Sequence, residues 1–110
     1  MLDDSQFHCL ADAYLESLAD EVETTDEEAL IDMDLDDGAL TLTLPDESQY
    51  VINKHFPTQQ MWLSSPISGG LHFTYNEESS VWQLDAGRKL SELLVEELEE
   101  STGITFNFPD

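Results

Sequence analysis

"IDMDLDDG", residues 31–38, places aspartate at 32, 34 and 36 and closes on Asp37-Gly38. It can be read as a calcium loop or as a strand with a row of carboxylates on one face. An EF-hand loop needs glycine at its sixth position and a bidentate glutamate at its twelfth. Counted from Asp32, those positions hold Asp37 and Thr43, and Gly38 comes one place late. The next stretch, "LTLTLP" (40–45), has no helical period, and a calcium loop would leave Met33 and Leu35 among the ligands. The strand reading leaves nothing over. Ile31, Met33 and Leu35 share one face, and Asp32, Asp34 and Asp36 share the other, roughly 7 Å apart. Asp37-Gly38 is a strong two-residue hairpin signal, and Leu40, Leu42 and Leu44 alternate with Thr41 and Thr43 on the returning strand.

Upstream, Phe7, Leu10, Ala11, Tyr14, Leu15, Leu18 and Val22 recur at helical spacing and predict an amphipathic helix over about 4–23. Asp3 or Asp4 caps it, and 24–29 form a polar connector. Downstream, "SQYVINK" (48–54), "QMWLSS" (60–65), "LHFTYN" (71–76) and "VWQL" (81–84) read as four more strands. "RKLSELLVEELEES" (88–101) returns to helical spacing, with Leu90, Leu93, Leu94 and Leu98 inward and Gly103 as its C-terminal cap. "ITFNF" (104–108) is a candidate short last strand. The order predicts one α+β domain over 1–110: a two-layer sandwich, with an antiparallel sheet of about six strands and two helices on one face.

The chain carries 25 acids against 3 bases, a formal net charge of −22. Residues 1–53 hold 16 of the acids and no Lys or Arg. Such a surface repels nucleic acid and anionic membrane and attracts cations or a basic protein. Cys9 is the single cysteine, so there is neither a disulfide framework nor a thiolate metal site. No apolar run is long enough to span a bilayer, and the start lacks a signal-peptide pattern.

The acids also break local rules. Asp12, Glu16, Asp20 and Glu23 follow at steps of 4, 4 and 3, so like charges stack on one helix face. Asp20, Glu21 and Glu23 crowd the helix C-terminus, where the macrodipole disfavours anions. Asp26, Glu27 and Glu28 continue the series into the strand, with no base expected nearby. Carboxylate-only clusters suit hard cations such as iron, manganese, calcium or magnesium. No E-x-x-H pair supports a buried di-iron centre, and His8, His55 and His72 are too scattered in the sequence to form a ligand set. The expected site is open, solvated and weak. The competing reading is an acidic edge that discourages association between sheets.

In "QMWLSS", Met61 and Leu63 make the better core pair, which turns Trp62 outward as an interface anchor unless "SSPISGG" (64–70) folds over it. Trp82 reads as core, and Asn53 ends the preceding strand near Trp62. At these residues the chain resembles the frataxin / CyaY family. "YVINKHFPTQQMWLSSPISGG" (50–70) is similar to the family's central strands, and "FHCLADAYLESLADEVE" and "KLSELLVEELEES" to its two helices. Leu30 stands where some bacterial members have an acid, and Gly70 where many eukaryotic ones have proline.

The resemblance implies an iron-binding accessory protein of iron–sulfur cluster assembly. Iron, Fe2+ or Fe3+, would bind weakly on an acidic ridge matched here by Glu16, Asp20, Glu21, Glu23, Asp26, Glu27, Glu28, Asp32 and Asp34, with other divalent cations able to compete. Asn53, Gln60 and Trp62 match the family's contacts with the cysteine desulfurase and the scaffold protein. The expected partners are therefore that desulfurase–scaffold complex, met by a monomer that regulates sulfur transfer and delivers ferrous iron. The alternative is a ferroxidase that stores iron in iron-induced oligomers, although no histidine–carboxylate set suggests a redox centre. The expected location is the bacterial cytoplasm, with the mitochondrial matrix as the alternative for a trimmed chain.

Overall fold

The computed structural model describes residues 2–109. Helix α1 (Asp4–Thr25) opens on a reciprocal cap: the Gln6 N–H donates to Asp3 Oδ1 at 2.7 Å and the Asp3 N–H to Gln6 Oε1 at 3.1 Å. The helix buries Phe7, Ala11, Tyr14, Leu15, Leu18, Ala19 and Val22 and runs two residues past the expected end. Six strands follow: β1 (Asp32–Asp36), β2 (Ala39–Thr43), β3 (Gln49–His55), β4 (Gln60–Ser65), β5 (Gly69–Asn76) and β6 (Val81–Gln83). They form one antiparallel meander in the order β1-β2-β3-β4-β5-β6. The opening stretch is therefore a strand and a tight turn. Asp36 pairs with Ala39, and Asp37 and Gly38 between them both have positive φ (41° and 81°), as a type I′ hairpin requires.

Helix α2 (Leu90–Thr102) starts two residues later than its apolar spacing suggested. Lys89 is extended and bridges back to Gln83, so Arg88 and Lys89 lie outside the helix, with Lys89 as its N-cap residue. Gly103 closes it with φ 76°. The two helices cover one face, and Leu40, Leu42, Tyr50, Ile52, Met61, Leu63, Phe73 and Trp82 meet them there.

The expected last strand does not form. Residues 104–108 join no ladder. Phe106 and Phe108 instead stack at 5.2 Å and bury against the core, which holds the segment by its side chains. Its backbone turns to α1: the Asn107 N–H donates to Glu21 Oε2 at 2.7 Å, and the Tyr14 hydroxyl donates to the Pro109 carbonyl at 2.8 Å.

Candidate functional site

Strand alternation and helical spacing bring the acids together at one edge of the molecule, where the C-terminal half of α1, the connector and β1 meet. They do not all have the same task. Asp26 is buried, and both its oxygens hold the chain between helix and strand: Oδ1 accepts from the Leu30 N–H at 3.0 Å and Oδ2 from the Ile31 N–H at 2.8 Å. An acid one residue past a helix C-terminus is costly in isolation. Here it satisfies two backbone donors at the start of β1. Glu21 is likewise engaged, since its Oε2 accepts from Thr25 Oγ1 at 2.9 Å as well as from the C-terminal segment.

Asp12 corrects the expectation that the acidic series has no base beside it. Lys54 lies on the helix-facing side of β3, and its ammonium reaches Asp12 Oδ1 at 2.9 Å. Its stem crosses Gly38, where a Cβ would come within 2.7 Å of Lys54 Cε. Gly38 thus serves both the hairpin turn and the passage of this side chain. The helix positions that remain open are Glu16, Asp20 and Glu23, followed by Glu27, Glu28, Asp32 and Asp34, all exposed. Among the described residues, no three histidine, cysteine, aspartate or glutamate side chains converge as a metal cage. The ridge is an array of hard oxygen donors rather than a closed centre.

The open face of the sheet carries the second group. Asn53 lies directly across from Trp62, and the Trp62 Nε1–H donates to Gln60 Oε1 at 3.0 Å, so all three expected residues gather there. The scatter of the histidines in sequence is misleading in space. His55 and His72 stack on opposite faces of Trp62, at ring-centroid distances of 3.6 and 4.1 Å. His72 is Trp62's cross-strand partner and His55 its diagonal neighbour, a relation legible once the register is known. The imidazoles leave the indole half-buried, exposing its edges more than its faces. Cross-strand pairing also runs one row from Asp36 through Ala39, Asn53 and Trp62 to His72. Three strand spacings of about 4.8 Å separate β1 from β4, so the ridge edge and Trp62 are about 14 Å apart.

The loop that was the alternative cover for Trp62 is tied to the opposite face. Glu97 of α2, buried in the helix layer, accepts hydrogen bonds from the Tyr50 hydroxyl (2.9 Å), the Ser65 hydroxyl (2.6 Å) and the Ser68 hydroxyl. Ser65 Oγ in turn accepts from the N–H groups of Ile67 and Ser68. Burial, and then the hydrogen bond and charge of Glu97, push the Tyr50 phenol up to about 12. Sequence reasoning missed this group because its members lie up to 47 positions apart and each resembles an ordinary surface residue of its element.

A family model for the frataxin-like domain matches residues 1–104. An iron–sulfur cluster assembly protein CyaY of Pseudomonas fluorescens is 34% identical over 108 residues, covering 97% of this chain and 96% of that one. The solved structure of frataxin from Psychromonas ingrahamii superposes with a TM-score of 0.86 at 26% identity, covering 99% of this chain and 100% of that one. Trimeric frataxin from Saccharomyces cerevisiae, solved in complex with ferrous iron, superposes with a TM-score of 0.74 at 37% identity over 86% of each chain.

Proposed function

The chain belongs to the frataxin-like family, and from that premise we propose that it is an iron-carrying accessory protein of iron–sulfur cluster assembly. In this reading it holds iron weakly on the acidic ridge and docks on a cysteine desulfurase–scaffold complex through the open face of the sheet. Docking regulates sulfur transfer, and the ridge delivers ferrous iron. The setting is the bacterial cytoplasm, in line with the Pseudomonas relative matched over 96% of its length. The observation that carries the reading is the cross-sheet row that joins the ridge edge to Trp62. A standard interface buries about 800 Å² per partner, a disc roughly 30 Å across, so one partner can cover both features.

The donor chemistry fits iron as cargo. Carboxylate oxygens suit hard cations. Exposed side chains that do not converge bind them weakly and release them readily, and Glu16, Asp20, Glu23, Glu27, Glu28, Asp32 and Asp34 supply those oxygens. Asp26 and Glu21 act as supports in this scheme, holding the connector and the C-terminal segment that shape the ridge. The same charge draws a basic surface, which gives docking a marked salt dependence.

Sulfide production by a desulfurase–scaffold complex tests the docking half, with the unmodified protein and with Trp62→Ala. A rate change of either sign that is lost in the variant supports it, and no change with the unmodified protein overturns it. A second reading, ferroxidase and storage in oligomers, draws on the trimeric yeast relative solved with ferrous iron. It requires iron oxidation that turns over many times per chain and is abolished by ridge substitutions. Stoichiometric oxidation alone would count against it.

A further inference from the structure

Strand β1 is the outer strand of the sheet: among the described residues it pairs with β2 and with no strand on its other side. A bare edge presents backbone donors and acceptors to any extended chain. Cover of the apolar face falls off along β1 towards its turn, from buried Ile31 to exposed Leu35. Leu40 and Leu42 of β2 are 0% and 1% exposed, whereas Leu35 of β1 is 39% exposed and Met33 is only partly buried. The apolar row therefore reaches the rim with Met33 partly covered by the core and Leu35 open. On the opposite face of the same strand stand Asp32, Asp34 and Asp36, all exposed.

These two rows select what can be added. A second copy of β1 would set aspartates against aspartates, and like charges on neighbouring strands repel. A strand with Lys or Arg at every second position would match the carboxylate row, and its intervening apolar side chains would cover Leu35 and Met33. Lys54 does not compete for this row, because its ammonium is directed to Asp12 on the helix side. We propose that the outer edge of β1 receives an extended basic segment of a partner protein as a seventh strand, its cationic side chains over Asp32, Asp34 and Asp36 and its apolar ones on Leu35 and Met33. The proposal rests on the ridge being a surface that recruits a partner, and it adds the mode of binding: a backbone ladder as well as charge.

The test uses the full chain and an eight-residue peptide alternating Lys and Val. A second peptide has every other amide N-methylated, which keeps the charge and removes the ladder donors on one edge. Binding is followed by amide NMR and hydrogen exchange at low salt. The outward-pointing amides of β1 are expected to gain protection. N-methylation on the edge facing β1, and Asp34→Lys in the protein, should each weaken binding about tenfold or more, while Trp62→Ala leaves it unchanged. Equal binding of the two peptides, no binding at low salt, or changes centred on Trp62 would each overturn the proposal. Those results would leave intact a Trp62-dependent effect on sulfide production. Loss of that effect with peptide binding preserved would remove the desulfurase reading and keep the edge.

Discussion

Asp20→Asn and Asp26→Asn neutralise acids six residues apart in sequence, and the structure gives them opposite signs. Asp20 is exposed near the end of α1, one helical step from both Glu16 and Glu23. Each like-charge pair costs about 0.2–0.5 kcal/mol, and with α1 running on to Thr25 Asp20 lies before the last turn, so the dipole adds little. Relieving both pairs should therefore stabilise the fold by about 0.4–1 kcal/mol at low ionic strength, with most of the gain gone in 0.5 M salt. Asp26 is 7% exposed and each of its oxygens accepts one backbone N–H. Asparagine keeps one acceptor and turns an NH₂ towards the other donor. Losing a hydrogen bond to a charged group and leaving a buried N–H unpaired costs about 2 kcal/mol. That loss should be nearly independent of salt. Urea unfolding at 25 °C in low and high salt measures both, provided the slope m stays constant so that midpoint shifts report stability. If Asp26→Asn stabilised the protein, or Asp20→Asn destabilised it at low salt, the division of the ridge into structural and open acids would be wrong.

Tyr50, with its phenol pushed up to about 12, adds a pH dependence. Its folded value lies above the ordinary 10, so its contribution is complete below pH 10 and is lost as pH rises towards 12. Tyr50→Phe should flatten that alkaline fall in stability, while lowering stability at neutral pH by about 1–3 kcal/mol because Glu97 loses a donor. Ultraviolet tyrosinate titration beside urea unfolding checks both. Gly38→Ala should cost about 1–2 kcal/mol, since φ is 81° and the new Cβ displaces Lys54. A double-mutant cycle with Asp12→Ala should show coupling between the two sites. Phe106→Ala should cost about 3–5 kcal/mol in thermal unfolding, as expected of a core ring. A loss below 1 kcal/mol would mean that the C-terminal segment is not part of the core.

Much of the fold was legible because its signals are local. Period two around Asp32–Asp36, the Asp37-Gly38 turn and the leucine spacing of 90–98 depend on neighbours in the chain, and each produced its element within two residues. The two clear differences, the late start of α2 and the missing last strand, arose where a tertiary contact outbid a local pattern. Lys89 bridges to Gln83, and Phe106 and Phe108 bury by stacking. The site divided in the same way. That acids crowd one edge and Trp62 faces away from the helices follows from periodicity alone.

Which acids are open and which are committed does not. Residues 12–34 taken alone show Asp12, Glu21 and Asp26 as members of one charged series. Only the folded chain brings Lys54 to Asp12, Asn107 to Glu21, and the N–H groups of Leu30 and Ile31 to Asp26. The same holds for His55 and His72 against Trp62, and for the three hydroxyls on Glu97. By itself the sequence determined the elements, the faces and the sign of the field, because these follow from repeat spacing and net charge. The partner of each polar side chain was decided by strand register and helix docking, which set the distances over which hydrogen bonds and ion pairs act.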